Sequence, residues 1–382
     1  MIDFKLDYKE KQPESIESGY FVFTLMPSLR CKLNCPHCYL SLDERRNSPL
    51  MELKDLEIAC EKVDQYYASR NIKNKVIVCY WYGGEPTDMG MEYFESAVNL
   101  INKKFSKGKG YFTKHTVLSS LIGVDHSWFD FFKTHCEGLV QSSFDGLMRG
   151  KNYLKKWELQ VRAAKKAGLR VSTISVVNRA LIDATPEVIL DYLGDLGIEE
   201  TSWLPFMWNE ENDGDPYRKF APSMDEWSDF MIRLTKHHRL RSEEGRYVPK
   251  IGQEWFILSQ GERDGFANLP AQTLFLMPNG DFVLPDYKNG FQEFLRPFGN
   301  ILNQSFSEIL QSPARKAYLR KQALRNGNKD CAECEYGGQC VMEFWKDNRP
   351  TDDCFGGRKY VTWLVHNTDE ETKKAMACST LY

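Results

Sequence analysis

Three cysteines stand close together near the start of the chain, in the stretch CKLNCPHC at residues 31–38. Cys31, Cys35 and Cys38 are spaced C-x3-C-x2-C and follow a predicted strand over 19–25. Thiolates this close in one loop pair poorly as disulfides, but they can converge on one soft metal centre. A [4Fe–4S] cluster normally takes four cysteines, so three would leave one iron open to another ligand. The alternative is a Cys3His zinc site that includes His37.

A second polar motif, Gly83-Gly84-Glu85-Pro86, follows the run KVIVCYW at residues 75–81. This run is almost continuously apolar, which predicts a strand buried on both faces. Glycines let a backbone approach a ligand closely, and a carboxylate can accept hydrogen bonds from an ammonium group. By itself the motif is also typical of a tight turn after a strand.

The two motifs, in this order, resemble those of the radical SAM enzymes, and the resemblance covers roughly residues 19–207. In that family three cysteines hold a [4Fe–4S] cluster whose open iron binds the amino and carboxylate groups of S-adenosylmethionine (SAM). Reductive cleavage of SAM then yields a 5′-deoxyadenosyl radical. The resemblance implies that Cys31, Cys35 and Cys38 hold this cluster. It also implies that the segment 83–85, Gly83, Gly84 and Glu85, receives the methionyl amino group.

A third segment, SSFDG at residues 142–146, resembles the S-x-D-G sequence of one large branch of the family. The resemblance implies that Ser143 and Asp145 contact SAM. Arg149 is the nearest cation and is a candidate partner for the SAM carboxylate, with an ordinary surface arginine as the alternative. The third predicted strand ends in Ser-Ser-Leu at 119–121, where that branch often has Thr-Asn-Gly. This departure leaves the substrate contacts at that position unassigned.

Four further cysteines lie near the end of the chain, and their C-x2-C core fits either a second Fe–S cluster or a structural zinc. The group resembles the C-terminal half of the SPASM domain, an extension of radical SAM enzymes, and implies one auxiliary [4Fe–4S] cluster. Segments 278–281 (PNGD) and 299–301 (GNI) are similar to landmarks of that domain. The four cysteines are Cys331, Cys334, Cys340 and Cys354.

A full SPASM domain has more cysteines, for a second, inner auxiliary cluster. Here no cysteine lies between Cys136 and Cys331, and position 344 is phenylalanine. The sequence therefore predicts that the inner cluster is absent. Asp286, at the end of a predicted hairpin over 273–284, is a candidate acid/base or substrate contact. A surrogate cluster ligand and a plain turn aspartate are the other interpretations.

Composition excludes several classes of protein. The 382 residues carry a net charge of −3, with charges of both signs spread along the chain, so the sequence does not suggest the strongly basic surface typical of nucleic-acid binding. No signal peptide and no apolar run of about 20 residues is present, so a cytoplasmic protein is predicted. In a reducing compartment clustered cysteines favour metal ligands over disulfides. The four isolated cysteines are predicted to be buried thiols: Cys60, Cys79, Cys136 and Cys378.

Strand and helix patterns alternate through the first half of the chain. Six predicted strands separated by helices indicate βαβ units and a parallel sheet, here a partial (β/α)6 TIM-like barrel. Because sites in such sheets lie at the carboxyl ends of strands, the cysteine loop and the GGEP segment should share one mouth. The strands are expected at 19–25, 75–81, 112–119, 138–143, 170–177 and 200–206, and the helices at 52–69, 91–105, 125–136, 153–167 and 186–196.

The predicted domains are a radical SAM core over 1–208, a linker and helical segment over 209–270, and a SPASM/twitch-like auxiliary-cluster domain over 271–382. Helices are also expected at 224–238 and 306–323. The aromatic run WLPFMW at 203–208 could stack on substrate or simply pack in the core. Six of the histidines show no ligand spacing with the cysteines: His115, His126, His135, His237, His238 and His366.

The predicted function is a maturase that forms a C–C or thioether link in a ribosomally made peptide, or oxidises a side chain. An external one-electron donor, flavodoxin- or ferredoxin-like, would be its partner. About eighteen residues precede the first strand, which leaves no N-terminal peptide-recognition domain and counts against this reading. A dehydrogenase, epimerase or decarboxylase of small metabolites is the alternative, and a non-catalytic zinc scaffold is a third.

Overall fold

The structure, a computed structural model, describes residues 15–33, 35–206, 214–262, 269–285, 296–323, 333–336, 354 and 357–378. Its strands are β1 (Tyr20–Leu25), β2 (Lys75–Trp81), β3 (Tyr111–Ser119), β4 (Leu139–Ser143), β5 (Arg170–Val177), β6 (Glu200–Pro205), β7 (Lys250–Ile251), β8 (Thr273–Leu276), β9 (Asp281–Val283) and β10 (Gly299–Asn300).

These strands form one ten-stranded sheet in the order β10-β9-β8-β1-β2-β3-β4-β5-β6-β7. β1 to β6 are parallel neighbours in chain order, as the alternating pattern predicts. β7 extends the parallel sheet beyond β6, and β8 extends it beyond β1. The order begins at β10 and ends at β7, so the sheet is that of an open barrel, and the predicted fold class is confirmed.

Along the chain, helices lie between the strands and after the last strand. They are α1 (Leu42–Asn47), α2 (Leu53–Ser69), α3 (Met91–Lys104), α4 (His126–His135), α5 (Lys151–Lys166), α6 (Arg179–Asp183), α7 (Pro186–Asp195), α8 (Asp215–Phe220), α9 (Met224–Glu243), α10 (Gly252–Glu262), α11 (Leu269–Gln272), α12 (Phe306–Leu310), α13 (Pro313–Ala323), α14 (Arg358–His366) and α15 (Glu370–Cys378). In the described part of the chain no helix is both long and apolar enough to cross a membrane.

The inner face of the barrel is less filled than the sequence predicts. In β2, Ile77, Cys79 and Trp81 are buried, whereas the alternate residues Val78 and Tyr80 are only partly buried. Side chains alternate between the two faces of a strand, so the buried set packs against the helices and the other set faces the barrel interior. The prediction of a strand buried on both faces was therefore wrong, because the interior is an incompletely filled cavity.

The C-terminal half differs from the expected elements in two places. The helix predicted over 306–323 is interrupted, because Pro313 cannot continue a helix but is favourable as the first residue of the next one. The Ser312 hydroxyl caps this second helix by accepting a hydrogen bond from the Arg315 amide at 3.2 Å. The stretch before residue 270, unassigned in the sequence, contains β7 and α10.

The predicted hairpin at 273–284 is confirmed as β8 and β9, and it belongs to the same sheet as the barrel. Leu274 of β8 is the parallel partner of Phe23 in β1. The Phe23 and Phe282 rings are 5.9 Å apart, and Phe282 in turn contacts Phe306 at 5.6 Å. The first strand and the C-terminal elements thus share one apolar core. The three-domain division remains a prediction.

Lys62 of α2 links the barrel to the C-terminal segment, because its ammonium donates to the carbonyls of Ile301, Leu302 and Gln304 at 2.6, 3.2 and 2.9 Å. Lys62→Met should lower the free energy of unfolding by about 2 kcal/mol, since three carbonyls lose a charged donor. Thermal or urea unfolding measures this loss. The matched control is Lys54→Met on the same helix, whose ion pair with Glu52 is exposed and should contribute little. Equal stability of the two variants would contradict the prediction.

Candidate functional site

A cavity of about 180 Å³ opens at the carboxyl ends of the barrel strands. It brings together the predicted cysteine loop, the GGE segment and the end of β4, which are far apart in the sequence. The predicted residues that line it are Cys31, Cys35, Cys38, Gly83, Gly84, Glu85, Ser143, Asp145 and Arg149.

The cysteine loop is held by α1, a helix absent from the predicted elements. The amide of Cys31 donates to the carbonyl of Arg45 at 3.0 Å, and the Arg45 guanidinium donates to the carbonyl of Leu33 at 3.2 Å. Arg45 therefore stabilises the loop through hydrogen bonds to Cys31 and Leu33, the residues on either side of Lys32. The signal for this helix is present in the sequence, because Ser41 and Glu44 form a reciprocal capping box.

The three thiols fit a cluster that binds through thiolates. Burial raises the pKa of Cys31 to about 12 and that of Cys35 to about 11, and it also raises the pKa of Cys38. Iron must therefore displace protons from thiols that are neutral by themselves. Among the described residues no three His, Cys, Asp or Glu side chains converge as closely as the ligands of a single metal ion.

Backbone contacts join the GGE segment to the chain just before Cys31. The amide of Gly84 donates to the carbonyl of Ser28 at 3.2 Å, and the amide of Glu85 donates to that of Arg30 at 2.9 Å. A Cβ on Gly84 would lie 2.2 Å from the Arg30 oxygen, and a Cβ on Gly83 would lie 2.4 Å from the Ser28 oxygen. Gly83 also has a φ of +123°, which favours glycine. The glycines are needed for this packing, a second role beside close approach to a ligand.

The carboxylate of Glu85 is fixed by the end of β3. One oxygen accepts from the hydroxyls of Ser119 at 2.8 Å and Thr87 at 2.7 Å, and the other accepts from the amide of Ser120 at 2.9 Å. The next residue, Leu121, has a left-handed φ of +61°. The Ser-Ser-Leu segment at 119–121, whose role the sequence alone does not reveal, thus positions Glu85. The oxygen that accepts from Ser120 can accept a further hydrogen bond.

Asp145 and Arg149 form a buried ion pair. Nε and Nη2 of Arg149 both lie 2.5 Å from Oδ2 of Asp145, and the amide of Val176 donates to Oδ1 at 2.8 Å. Arg149 also donates to the hydroxyl of Tyr153 at 3.1 Å. Burial raises the pKa of Asp145, but Arg149, His37 and the Val176 amide together hold that pKa below its usual value. Asp145 is therefore ionised and orients Arg149.

His37 also lines the cavity, although the sequence assigned it only to the alternative zinc site. Its Nε2 lies 3.5 Å from Oδ2 of Asp145, and its ring meets the edge of Phe206 at 6.1 Å. Burial lowers the pKa of His37 to about 4. The imidazole is therefore neutral, and its contact with Asp145 is polar rather than an ion pair.

The C-terminal hairpin reaches the cysteine loop. Met277 and Val283 pack with Leu40, just after Cys38, and the ring of Phe275 meets Tyr82 at 6.2 Å. The hairpin therefore forms part of the surroundings of the site. Asp286, the predicted acid/base residue, lies outside the described residues.

The remaining predicted residues lie in the core, at the cavity, at partly buried positions or outside the described residues. Cys60, Cys79 and Cys136 are buried free thiols, as predicted, whereas the side chain of Cys378 lies outside the described residues. Cys334 and Cys354 are partly buried, and Cys331 and Cys340 also lie outside. In the aromatic run, Trp203 is core, Leu204 and Pro205 line the cavity, and positions 207 and 208 lie outside.

Parts of the chain are similar in sequence to a known domain family and to known maturating enzymes. The SPASM family, an iron–sulfur cluster-binding domain, matches residues 268–335. A serine-type anaerobic sulfatase-maturating enzyme from Klebsiella aerogenes is 22% identical over 327 residues, which cover 81% of this chain and 76% of that protein.

Two solved structures share the fold. Native anSMEcpe with bound AdoMet (SAM) has a TM-score of 0.69 at 17% identity and covers 94% of this chain and 99% of its own. Streptococcus suis SuiB bound to its precursor peptide SuiA has a TM-score of 0.59 at 15% identity, with 86% and 75% covered.

These findings confirm the resemblance predicted from the motifs, and they agree with the predicted cofactors, SAM and [4Fe–4S] clusters. The relative from Klebsiella aerogenes is itself a maturating enzyme, in line with the prediction of an enzyme. The chain therefore has the α/β fold of these solved structures, matches the SPASM iron–sulfur cluster-binding domain in its C-terminal part, and is similar to SPASM-type radical SAM maturases.

Proposed function

We propose that this radical SAM enzyme acts on a ribosomally synthesised peptide, in which it forms a C–C or thioether link or oxidises a side chain. The observation that carries the proposal is one cavity lined by three cysteines, the GGE segment and the Asp145–Arg149 pair. The hairpin that contacts the cysteine loop belongs to the SPASM match. The structure of SuiB with its precursor peptide supports a peptide as the substrate class.

Each residue then has a role of its own. Cys31, Cys35 and Cys38 would hold the [4Fe–4S] cluster, and with SAM bound this centre supplies a radical that takes hydrogen from unactivated C–H bonds. Glu85, oriented by Ser119 and Ser120, would accept hydrogen bonds from the SAM ammonium group.

At the other side of the cavity, Asp145 would orient Arg149 toward the SAM carboxylate, and Ser143 would contact the same ligand. Arg149 is suited to this role because its planar guanidinium presents several donors in a fixed geometry. Cys331, Cys334, Cys340 and Cys354 would hold one auxiliary [4Fe–4S] cluster, and Asp286 would serve as an acid/base residue.

The substrate class can be tested with a deuterated precursor peptide encoded near this gene. Incubation with SAM and dithionite should transfer deuterium to 5′-deoxyadenosine, because hydrogen leaves a peptide C–H bond. The labelled peptide should lose one deuterium, abstracted as the atom, and one further hydrogen, released as a proton, as a cross-link or a two-electron oxidation requires. Mass spectrometry measures both results. Deuterium transfer only from small metabolites would contradict the proposal and favour a metabolite dehydrogenase or epimerase.

A further inference from the structure

A basic groove borders the cysteine loop next to the cavity described above, with which it shares Cys31 and Leu33. Four cations and one carboxylate line it, although the chain as a whole has a net charge of −3. The charged residues are Arg30, Lys32, Arg45, Arg46 and Asp88.

The cations of this groove differ in how firmly they are held. Arg30 donates to the carbonyl of Ser48 at 2.7 Å, and Arg45 braces the cysteine loop. Lys32 has an 88% exposed side chain, paired with Asp88 at 3.3 Å, and Arg46 is exposed on α1. Lys32 and Arg46 therefore present positive charge to the solvent, while Arg30 and Arg45 are held in place by hydrogen bonds to the backbone.

Two exposed apolar side chains complete this surface. Leu42 and Leu50 are each 48% exposed and line the same groove. Small apolar centres with a charged rim suit transient protein partners, and electron-transfer complexes are among the smallest interfaces.

The position of the groove makes it a route to the cluster site. Cys31 and Leu33 line both the groove and the cavity, so a molecule in the groove would lie against Cys31, one of the proposed cluster ligands. Electron-transfer rates fall steeply with distance, which favours this face over the barrel mouth, where a substrate would enter.

We propose that this groove is the docking surface for an acidic one-electron donor protein. The inference rests on the proposed radical SAM function, which requires one electron for each cleavage of SAM. The donor is oxidised by one electron and the cluster is reduced by one. Charge complementarity selects the partner and speeds its encounter with the loop.

The test uses the double variant Lys32→Glu/Arg46→Glu and a bacterial flavodoxin of strongly negative charge. Isothermal titration of the reconstituted enzyme with flavodoxin should show a rise in Kd of at least about tenfold. Wild-type binding should also weaken between about 50 and 300 mM salt, whereas binding by the variant should change little. SAM cleavage driven by reduced flavodoxin should slow in parallel, and cleavage driven by dithionite should stay at the wild-type rate.

The matched control is Lys73→Glu/Lys166→Glu, which changes the net charge equally at exposed positions near the opposite ends of the strands. The milder Lys32→Gln/Arg46→Gln variant should give an intermediate Kd, and it shows whether the effect depends on charge rather than on misfolding of the loop.

Equal flavodoxin affinity in wild type and the charge-reversal variant would overturn the proposal. So would an altered peptide KM under dithionite with unchanged flavodoxin binding, which would assign the groove to substrate. A wild-type enzyme inactive even with dithionite would instead contradict the proposed function.

Discussion

Replacement of Cys31, Cys35 and Cys38 by alanine is expected to abolish formation of 5′-deoxyadenosine from SAM. The three thiols belong to one loop and line one cavity, so the triple substitution removes all three proposed ligands of the SAM-binding cluster. Anaerobically reconstituted wild type should contain about eight irons and the triple variant about four, with sulfide in proportion. Iron and sulfide analysis beside a 5′-deoxyadenosine assay measures both effects.

The matched control removes three other thiols. Cys60, Cys79 and Cys136 are buried away from the site, so their triple alanine variant should keep about eight irons and its activity. A wild type with about four irons, all lost when the loop cysteines are replaced, would contradict the predicted auxiliary cluster. The four C-terminal cysteines would then bind zinc or no metal.

Gly84→Ala should reduce kcat/KM for SAM cleavage by about a hundredfold, because a shift of about 1 Å in an active site can have that effect. The new Cβ would lie 2.2 Å from the Arg30 oxygen and 2.3 Å from the Leu29 oxygen, both backbone atoms that cannot rotate away. The GGE segment and the chain that enters the cysteine loop must therefore separate. Steady-state assays with dithionite, together with SAM binding, measure the loss.

Gly108→Ala provides the control, because its Cβ would meet no atom within 4 Å. That variant should retain wild-type kinetics. The irons of the auxiliary cluster should survive in both variants, since the clash is confined to the barrel mouth. Similar activity of Gly84→Ala and Gly108→Ala would show that the two loops tolerate separation and that their backbone packing is not needed for SAM cleavage.

Much of the fold follows from local pattern. The six parallel strands and the helices between them were predicted to within a few residues, because hydrophobic periodicity and turn residues are properties of short segments. The sequence does not predict the partly exposed inner face of β2. An apolar residue that faces a cavity gives the same sequence pattern as one that faces a packed core. The break at Pro313 was also missed, although proline is a readable local signal.

The candidate chemistry can be predicted from short motifs, because the cysteine spacing, the GGE segment and the C-terminal cysteine group are each contained within a short stretch of chain. The orientation of these groups cannot, because it depends on contacts between distant segments. Ser119 and Ser120 reach Glu85 across 34 and 35 residues of sequence, and Asp145 binds the amide of Val176 across 31. Such contacts depend on the register of neighbouring parallel strands, which arises from packing of the whole sheet rather than from any local pattern.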